Sequence, residues 1–203
     1  MSKNAQEWIA QPPVAEKDFV STLIYTDQNL FEEEIKKIKK STWKFACHES
    51  EIPKTNDYRT LNHAGIPLII TRSSDNKIRT FINSCSHRSA LVLREPAGNA
   101  ERWICLFHRW VFNNKGYCTA IPREGAYAGT GISKENRGLR EVRTEVRLGM
   151  IFVNLNDSTP SLDEYLGDAL ENVEDVMGQK KLEVFPYHQT ILNVNWKQWH
   201  ETN

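Results

Sequence analysis

Two short stretches of this 203-residue chain carry donor atoms suited to a metal centre. Cys85 and His87 stand either side of Ser86; after seventeen intervening residues comes Cys105, and His108 follows it across Leu106 and Phe107. Each stretch offers one thiolate and one imidazole. Thiolate donates charge strongly and neutral imidazole does not. Two of each can hold a [2Fe–2S] cluster, with both Cys on one iron and both His on the other. The same four donors drawn into a tetrahedron would hold a zinc ion. The donors alone leave both readings open, and the flanking residues weigh for the cluster.

The first stretch reads Ser84-Cys85-Ser86-His87-Arg88-Ser89-Ala90. The second reads Cys105-Leu106-Phe107-His108-Arg109-Trp110-Val111-Phe112, with Gly116 and Pro122 shortly after. Together these loops resemble those of the large (α) subunits of Rieske non-haem iron aromatic-ring-hydroxylating oxygenases, C-x-H-R-[GS]-A and C-x-x-H-x-W-x-[FY]-x-x-x-G. The resemblance runs from about Phe31 to the last residue and includes Glu49 to Pro53 and the segment Asn195-Trp196-Lys197. One departure is Arg109, where many members carry a small residue.

The resemblance implies a function. Cys85, His87, Cys105 and His108 would be the iron ligands of a [2Fe–2S] cluster, with the imidazoles on the outer iron and Trp110 packed beneath. Electrons would come from an NAD(P)H-dependent reductase, in some members through a ferredoxin. They would pass to a mononuclear Fe(II) that activates dioxygen against an aromatic substrate such as an aromatic carboxylate. The ligands of that Fe(II) are expected beyond residue 203, so no catalytic residue is expected in this chain and the chain alone is expected not to turn over. The family implies trimers, with or without small β subunits (α3β3). Members that demethylate N- or O-alkyl groups share the same loops, and a stand-alone Rieske electron carrier is the alternative from another class. The helix expected after residue 160 and the Asn-Trp-Lys segment argue against that carrier.

Other candidates carry less chemistry. His48, His63, His188 and His200 each stand alone without ligand spacing. His200-Glu201 invites comparison with a two-His-one-carboxylate iron site, yet the resemblance puts those ligands after the Asn-Trp-Lys segment. Arg88 and Arg109 each follow a donor His; they suit either contact with an acidic redox partner or plain solvation. Cys47 and Cys118 read as small buried thiols at strand positions.

The composition bounds the rest. Lys+Arg and Asp+Glu are 26 each, so nothing in the balance points to nucleic acid or a membrane surface. The apolar runs are far shorter than a membrane span. Residues 1–14 lack a charged leader followed by an apolar stretch, which leads us to expect a cytoplasmic protein. A reducing compartment argues against disulfides among the four cysteines.

The elements that must position the donors read as mainly β with flanking helices. We expect a small antiparallel Rieske-type β-sandwich, followed by the start of an α+β catalytic domain. Three segments result: an N-terminal arm and helix (1–40), a Rieske [2Fe–2S] domain (41–156), and a linker helix with the beginning of a catalytic domain (157–203). Asp27 is a candidate N-cap, before Leu30, Phe31, Ile35 and Ile38 at helical spacing. The charges from Glu32 to Lys40 read as a solvated helix face. Strands are expected at 43–47, 57–61, 66–72, 78–83, 141–147 and 150–155, with a turn at 73–76. A hairpin is expected around Asn113-Asn114-Lys115-Gly116. The stretch 122–138, with Gly125, Gly129 and Gly131, reads as a surface excursion without a phosphate-binding fingerprint. Ser161 and Glu164 form a capping box for one helix running to Gly178. A strand is expected at 189–194.

Overall fold

The computed structural model describes residues 14–16, 19–20, 22–177, 180–185, 188 and 190–202. Their contacts form two units, Thr42–Phe185 and Met1–Ser41 with Pro186–Asn203.

The larger unit is built on β5 (Ile66–Arg72), whose run Leu68-Ile69-Ile70 is buried at every position. Successive strand side chains point to opposite faces, so a continuous apolar run needs cover on both sides. Ile69 joins a core of aromatic and sulfur side chains that includes Phe81, Cys85, Trp103, Cys105, Trp110 and Phe112. Leu68 and Ile70 join smaller clusters with Val142, Val153, Ile52 and Ile151. Around β5 lie β3 (Lys44–His48), β4 (Asp57–His63), β6 (Ile78–Ile82), β7 (Ala97–Asn99), β11 (Glu141–Arg147) and β12 (Met150–Asn154). The order across this seven-stranded sheet is β3-β12-β11-β6-β5-β4-β7, antiparallel throughout.

A second, three-stranded antiparallel sheet holds β8 (Arg102–Ile104), β9 (Val111–Asn113) and β10 (Cys118–Ala120) in the order β10-β9-β8. The β9–β10 turn is the expected hairpin. Gly116 sits there at φ 83°, and a β-carbon at that position would overlap the Phe81 ring. Asn114 in the same turn is buried and ties it to two other loops. Its carbonyl accepts from the Ser73 hydroxyl (2.6 Å), its side-chain oxygen accepts from Ser74 N–H (3.2 Å), and its amide donates to Asn56 Oδ1 (2.6 Å).

The sequence-based elements agree except at a few places. β7 and β8, three residues each, carry too little pattern to be expected. The helix expected from Ser161 to Gly178 is two helices, α3 (Leu162–Leu166) and α4 (Ala169–Met177). Gly167 breaks it, at φ 48° and ψ −136°, a conformation incompatible with a continuing helix. Gly178 lies outside the described residues. The Ser161–Glu164 capping box is present. Of the apolar positions shared by α3 and α4, Leu162 alone is buried, and Val176 is 88% exposed. The strand expected at 189–194 does not form among the described residues, where no partner offers it a hydrogen-bond ladder. Gln189 itself lies outside them.

In the smaller unit, β1 (Val14–Glu16) pairs antiparallel with β2 (Phe19–Val20), and α1 (Leu23–Thr26) precedes α2 (Gln28–Glu34), which is capped by Asp27 through Leu30 N–H to Oδ1 at 3.0 Å. The helix continues as a π turn over Ile35–Lys39. Glu34 departs from the expected solvated face. Its carboxylate accepts from Trp196 Nε1 (3.0 Å) and pairs with Lys197 Nζ (2.5 Å), with both charged side chains mostly buried. Asn195 donates from Nδ2 to the Tyr25 carbonyl (2.8 Å). Its Oδ1 accepts from Lys197 N–H (3.0 Å), which caps α5 (Trp196–Thr202). Each residue of the Asn-Trp-Lys segment is thereby tied to the α1–α2 region. No helix among the described residues is long and apolar enough to cross a membrane.

Candidate metal centre

The two donor loops are twins in backbone. In the first, Cys85 N–H donates to Ala90 O and Ser89 N–H to Cys85 O, both at 2.8 Å. In the second, Cys105 N–H donates to Trp110 O and Arg109 N–H to Cys105 O, both at 2.9 Å. The fifth residue of each loop takes a left-handed conformation, Ser89 at φ 57° and Arg109 at φ 63°. The unequal spacings, C-x-H and C-x-x-H, therefore place the imidazole on the third residue of one loop and the fourth of the other. The rings meet with centroids 4.5 Å apart at 72°.

Each loop is anchored where it leaves its sheet. The first follows β6, and buried Asn83 holds its return: Oδ1 accepts from Val92 N–H (2.9 Å) and Leu93 N–H (3.0 Å), while Nδ2 donates to Leu93 O (2.7 Å). The second joins β8 to β9, so Cys105 and Trp110 close the end of a hairpin whose strands already pair Trp103 with Phe112.

Two thiols and two imidazoles are thereby gathered as pairs. Cys85 and Cys105 are almost completely buried, and Cys105 is close enough to act on the Cys85 thiol. Burial pushes the Cys85 thiol up to about 11, while backbone N–H groups of His87 and Arg88 aimed at its sulfur pull the other way. Those N–H groups suit a sulfur that carries negative charge. Burial, and then the neighbouring charges of His108 and Arg88, shift His87 downward, which favours the neutral ring that can bind a metal. His87 Nδ1 is buried with no hydrogen-bond partner, a costly state for a ring nitrogen unless a ligand takes it. A thiol pair beside an imidazole pair, with one orphaned ring nitrogen, fits a cluster taking two protein donors per iron.

Aromatic side chains shape the surroundings. Trp110 is buried and stacks on His87, with centroids 4.7 Å apart and planes 5° apart. Phe107 lies against His108 at 4.1 Å, and both Leu106 and Phe107 are exposed. Two residues of the 122–138 excursion also reach the first loop, and sequence reasoning missed both. Tyr127 brings its hydroxyl to 3.5 Å from His87 Nε2, and the Arg137 carbonyl accepts from the Ser86 hydroxyl at 2.6 Å. Neither has a sequence signal, because the contacts span 40 and 51 residues.

The remaining candidates have other occupations. Arg88 and Arg109 are exposed. His48 lies beside the Ser50 hydroxyl through Nδ1 at 2.9 Å. His200 packs edge-on against Trp196, and Glu201 accepts from the Tyr25 hydroxyl at 2.6 Å. Cys47 and Cys118 are buried, free thiols on β3 and β10. A depression of about 890 Å³ lined by Arg79, Tyr117, Lys134 and Arg140 among others contains none of the four donors.

Comparison with known proteins gives the geometry a family. Residues 42–142 match the Rieske [2Fe–2S] domain. The 2-aminobenzenesulfonate 2,3-dioxygenase α subunit of an Alcaligenes species is 48% identical over 204 residues, covering 100% of this chain and 52% of that protein. The methanesulfonate monooxygenase hydroxylase α subunit of Methylosulfonomonas methylovora is 40% identical over 212 residues, covering 100% and 51%. Naphthalene 1,2-dioxygenase solved with indole in its active site superposes with a TM-score of 0.75 at 34% identity, over 85% of this chain and 38% of that one. The chain spans about half the length of the curated relatives it matches. With its Rieske domain, its antiparallel sheets and a match that runs the whole length of this chain over about half of such subunits, the chain belongs to the α-subunit family of the Rieske oxygenases, an oxidoreductase family.

Proposed function

We propose that Cys85, His87, Cys105 and His108 hold the [2Fe–2S] cluster and that this chain is the electron-entry part of a Rieske oxygenase α subunit. The observation that carries the reading is the pairing of two buried thiols beside two imidazoles, one with an orphaned Nδ1. When bound, the cluster supplies one-electron transfer. The protein's own part is to exclude water from the sulfurs, through the core around Trp103, Trp110 and Phe112, and to fix the imidazoles. Trp110 holds the His87 ring plane, and the twin loops set the angle between the rings.

In the whole protein the electrons come from NAD(P)H through a partner reductase, with or without a ferredoxin. They go to a mononuclear Fe(II) whose ligands are not among these residues. Of the N-terminal arm and helix (1–40), residues 1–13 lie outside the described residues; 41–156 serve as the Rieske domain, and 157–203 as linker helix and beginning of the catalytic domain. We place the protein in the cytoplasm as a trimer, with or without small β subunits. For the substrate we favour an anionic aromatic compound. The sequence suggests an aromatic carboxylate, while the two relatives most similar among those described above are named for sulfonates, and both groups are anions.

The test is oxygen uptake by the full-length protein with its reductase and NAD(P)H, offered 2-aminobenzenesulfonate, terephthalate and naphthalene in turn. Coupled uptake and hydroxylated product from either anion, with little from naphthalene, is expected. Turnover of naphthalene alone would overturn the substrate reading. Absence of oxygen uptake with all three, in protein holding both iron centres, would overturn the oxygenase reading for these compounds.

A further inference from the structure

From the contacts of the 122–138 excursion we infer that this stretch is part of the cluster site and that Tyr127 is the positioning residue of His87. The inference rests on the reading of His87 as an iron ligand. The excursion has no regular pattern in sequence, yet it is folded by its own turns: Ala126 N–H donates to Arg123 O (2.8 Å) and the Thr130 hydroxyl to Tyr127 O (2.6 Å). Gly129 and Gly131 take positive φ, and Asn136 caps back onto Ser133 N–H (3.1 Å). Its far end is pinned on the first donor loop and on the β9–β10 hairpin. Ser86 Oγ donates to Arg137 O (2.6 Å), and Leu139 N–H donates to Gly116 O (2.7 Å).

These ties fix the half-buried Tyr127. Its ring stands edge-on to both His87 (6.2 Å, 89°) and Trp110 (5.9 Å, 88°), and its hydroxyl lies 3.5 Å from His87 Nε2, at the outer reach of a hydrogen bond. The stacked Trp110 fixes the plane of the imidazole, but a 180° turn about Cβ–Cγ leaves that plane unchanged. Stacking therefore cannot decide which ring atom faces inward. The hydroxyl can, because it meets Nε2 in one orientation alone, the orientation in which the unpartnered atom is Nδ1. A metal-bound imidazole carries its proton on the other nitrogen. His87 Nε2–H then donates to the Tyr127 oxygen, which makes Nδ1 a more basic donor. A more basic donor favours the oxidised iron and lowers the reduction potential.

The experiment compares cluster-loaded wild-type protein with Tyr127→Phe, which keeps the ring edge and removes the hydroxyl. An upward shift in midpoint potential is expected, with altered nitrogen hyperfine coupling of one histidine in the electron-spin-echo spectrum. Iron, sulfide and melting temperature should stay at wild-type values. A second measurement needs no variant: protein made with 3-fluorotyrosine carries a weaker phenol acceptor and should shift the same way. Unchanged potential and unchanged coupling in both proteins would overturn the inference. Failure of the wild-type protein itself to hold iron and sulfide would instead overturn the ligand reading on which it rests.

Discussion

Arg109 holds in the second donor loop the backbone position that Ser89 holds in the first, both in left-handed conformation at φ 63° and 57°. A residue with a β-carbon is strained by about 1–2 kcal/mol there, and glycine is not. A glycine at this position would relieve that strain. The Arg109 side chain is exposed, so it returns little packing for the strain.

Arg109→Gly should therefore raise the stability of the folded protein by about 1 kcal/mol, less than the full strain because glycine also loosens the unfolded chain. Denaturant unfolding is the check: the midpoint should rise with the slope unchanged. A lower midpoint would mean that the guanidinium makes a stabilising contact that outweighs the strain.

Much of this was legible in the sequence, for reasons that can be named. The β5 run and the β9–β10 turn announce themselves locally, because a run of buried β-branched residues and an Asn-rich turn ending in Gly116 each have few alternatives. The four donors were legible for a similar reason, since their spacing lies within two six-residue loops. What sequence could not give depends on partners far along the chain. Tyr127 meets His87 across 40 residues, and Glu34 meets Lys197 across 163. Gly167 was visible, but a helical pattern tolerates one glycine, and its positive φ is set by how α3 and α4 are directed.

Stability should fall on the alkaline side through Cys47. Burial raises this thiol from its ordinary 9.0 to about 12, so the folded protein keeps a proton that the unfolded chain releases. Its contribution is present in full below the unfolded value and is lost as pH rises from about 9 toward the folded value. The loss should reach on the order of 1–2 kcal/mol near pH 10.5. Cys47→Ala should flatten this limb while lowering stability at neutral pH, through the small cavity it leaves. An alkaline limb of the same slope in the variant would assign the effect to another group.

The reduction potential should lie near the bottom of the Rieske range, on the order of −150 mV. Hydroxyl donors to the cluster sulfurs raise a potential by stabilising added charge. The Ser86 hydroxyl is committed to the Arg137 carbonyl, and the first loop offers one other, Ser89. Neither loop carries a second cysteine that could form a bridging disulfide. Protein-film voltammetry at neutral pH measures it directly. A value well above about +100 mV would point to donors that this structure does not reveal.

Metal and acid-labile sulfide analysis of protein made with ample iron tests whether Cys85, His87, Cys105 and His108 hold the proposed cluster. Two irons and two sulfides per chain are expected. Cys85→Ala and Cys105→Ala should each lose both, and His63→Ala should keep them. One zinc per chain with no sulfide, or full cluster content in either cysteine variant, would contradict that assignment.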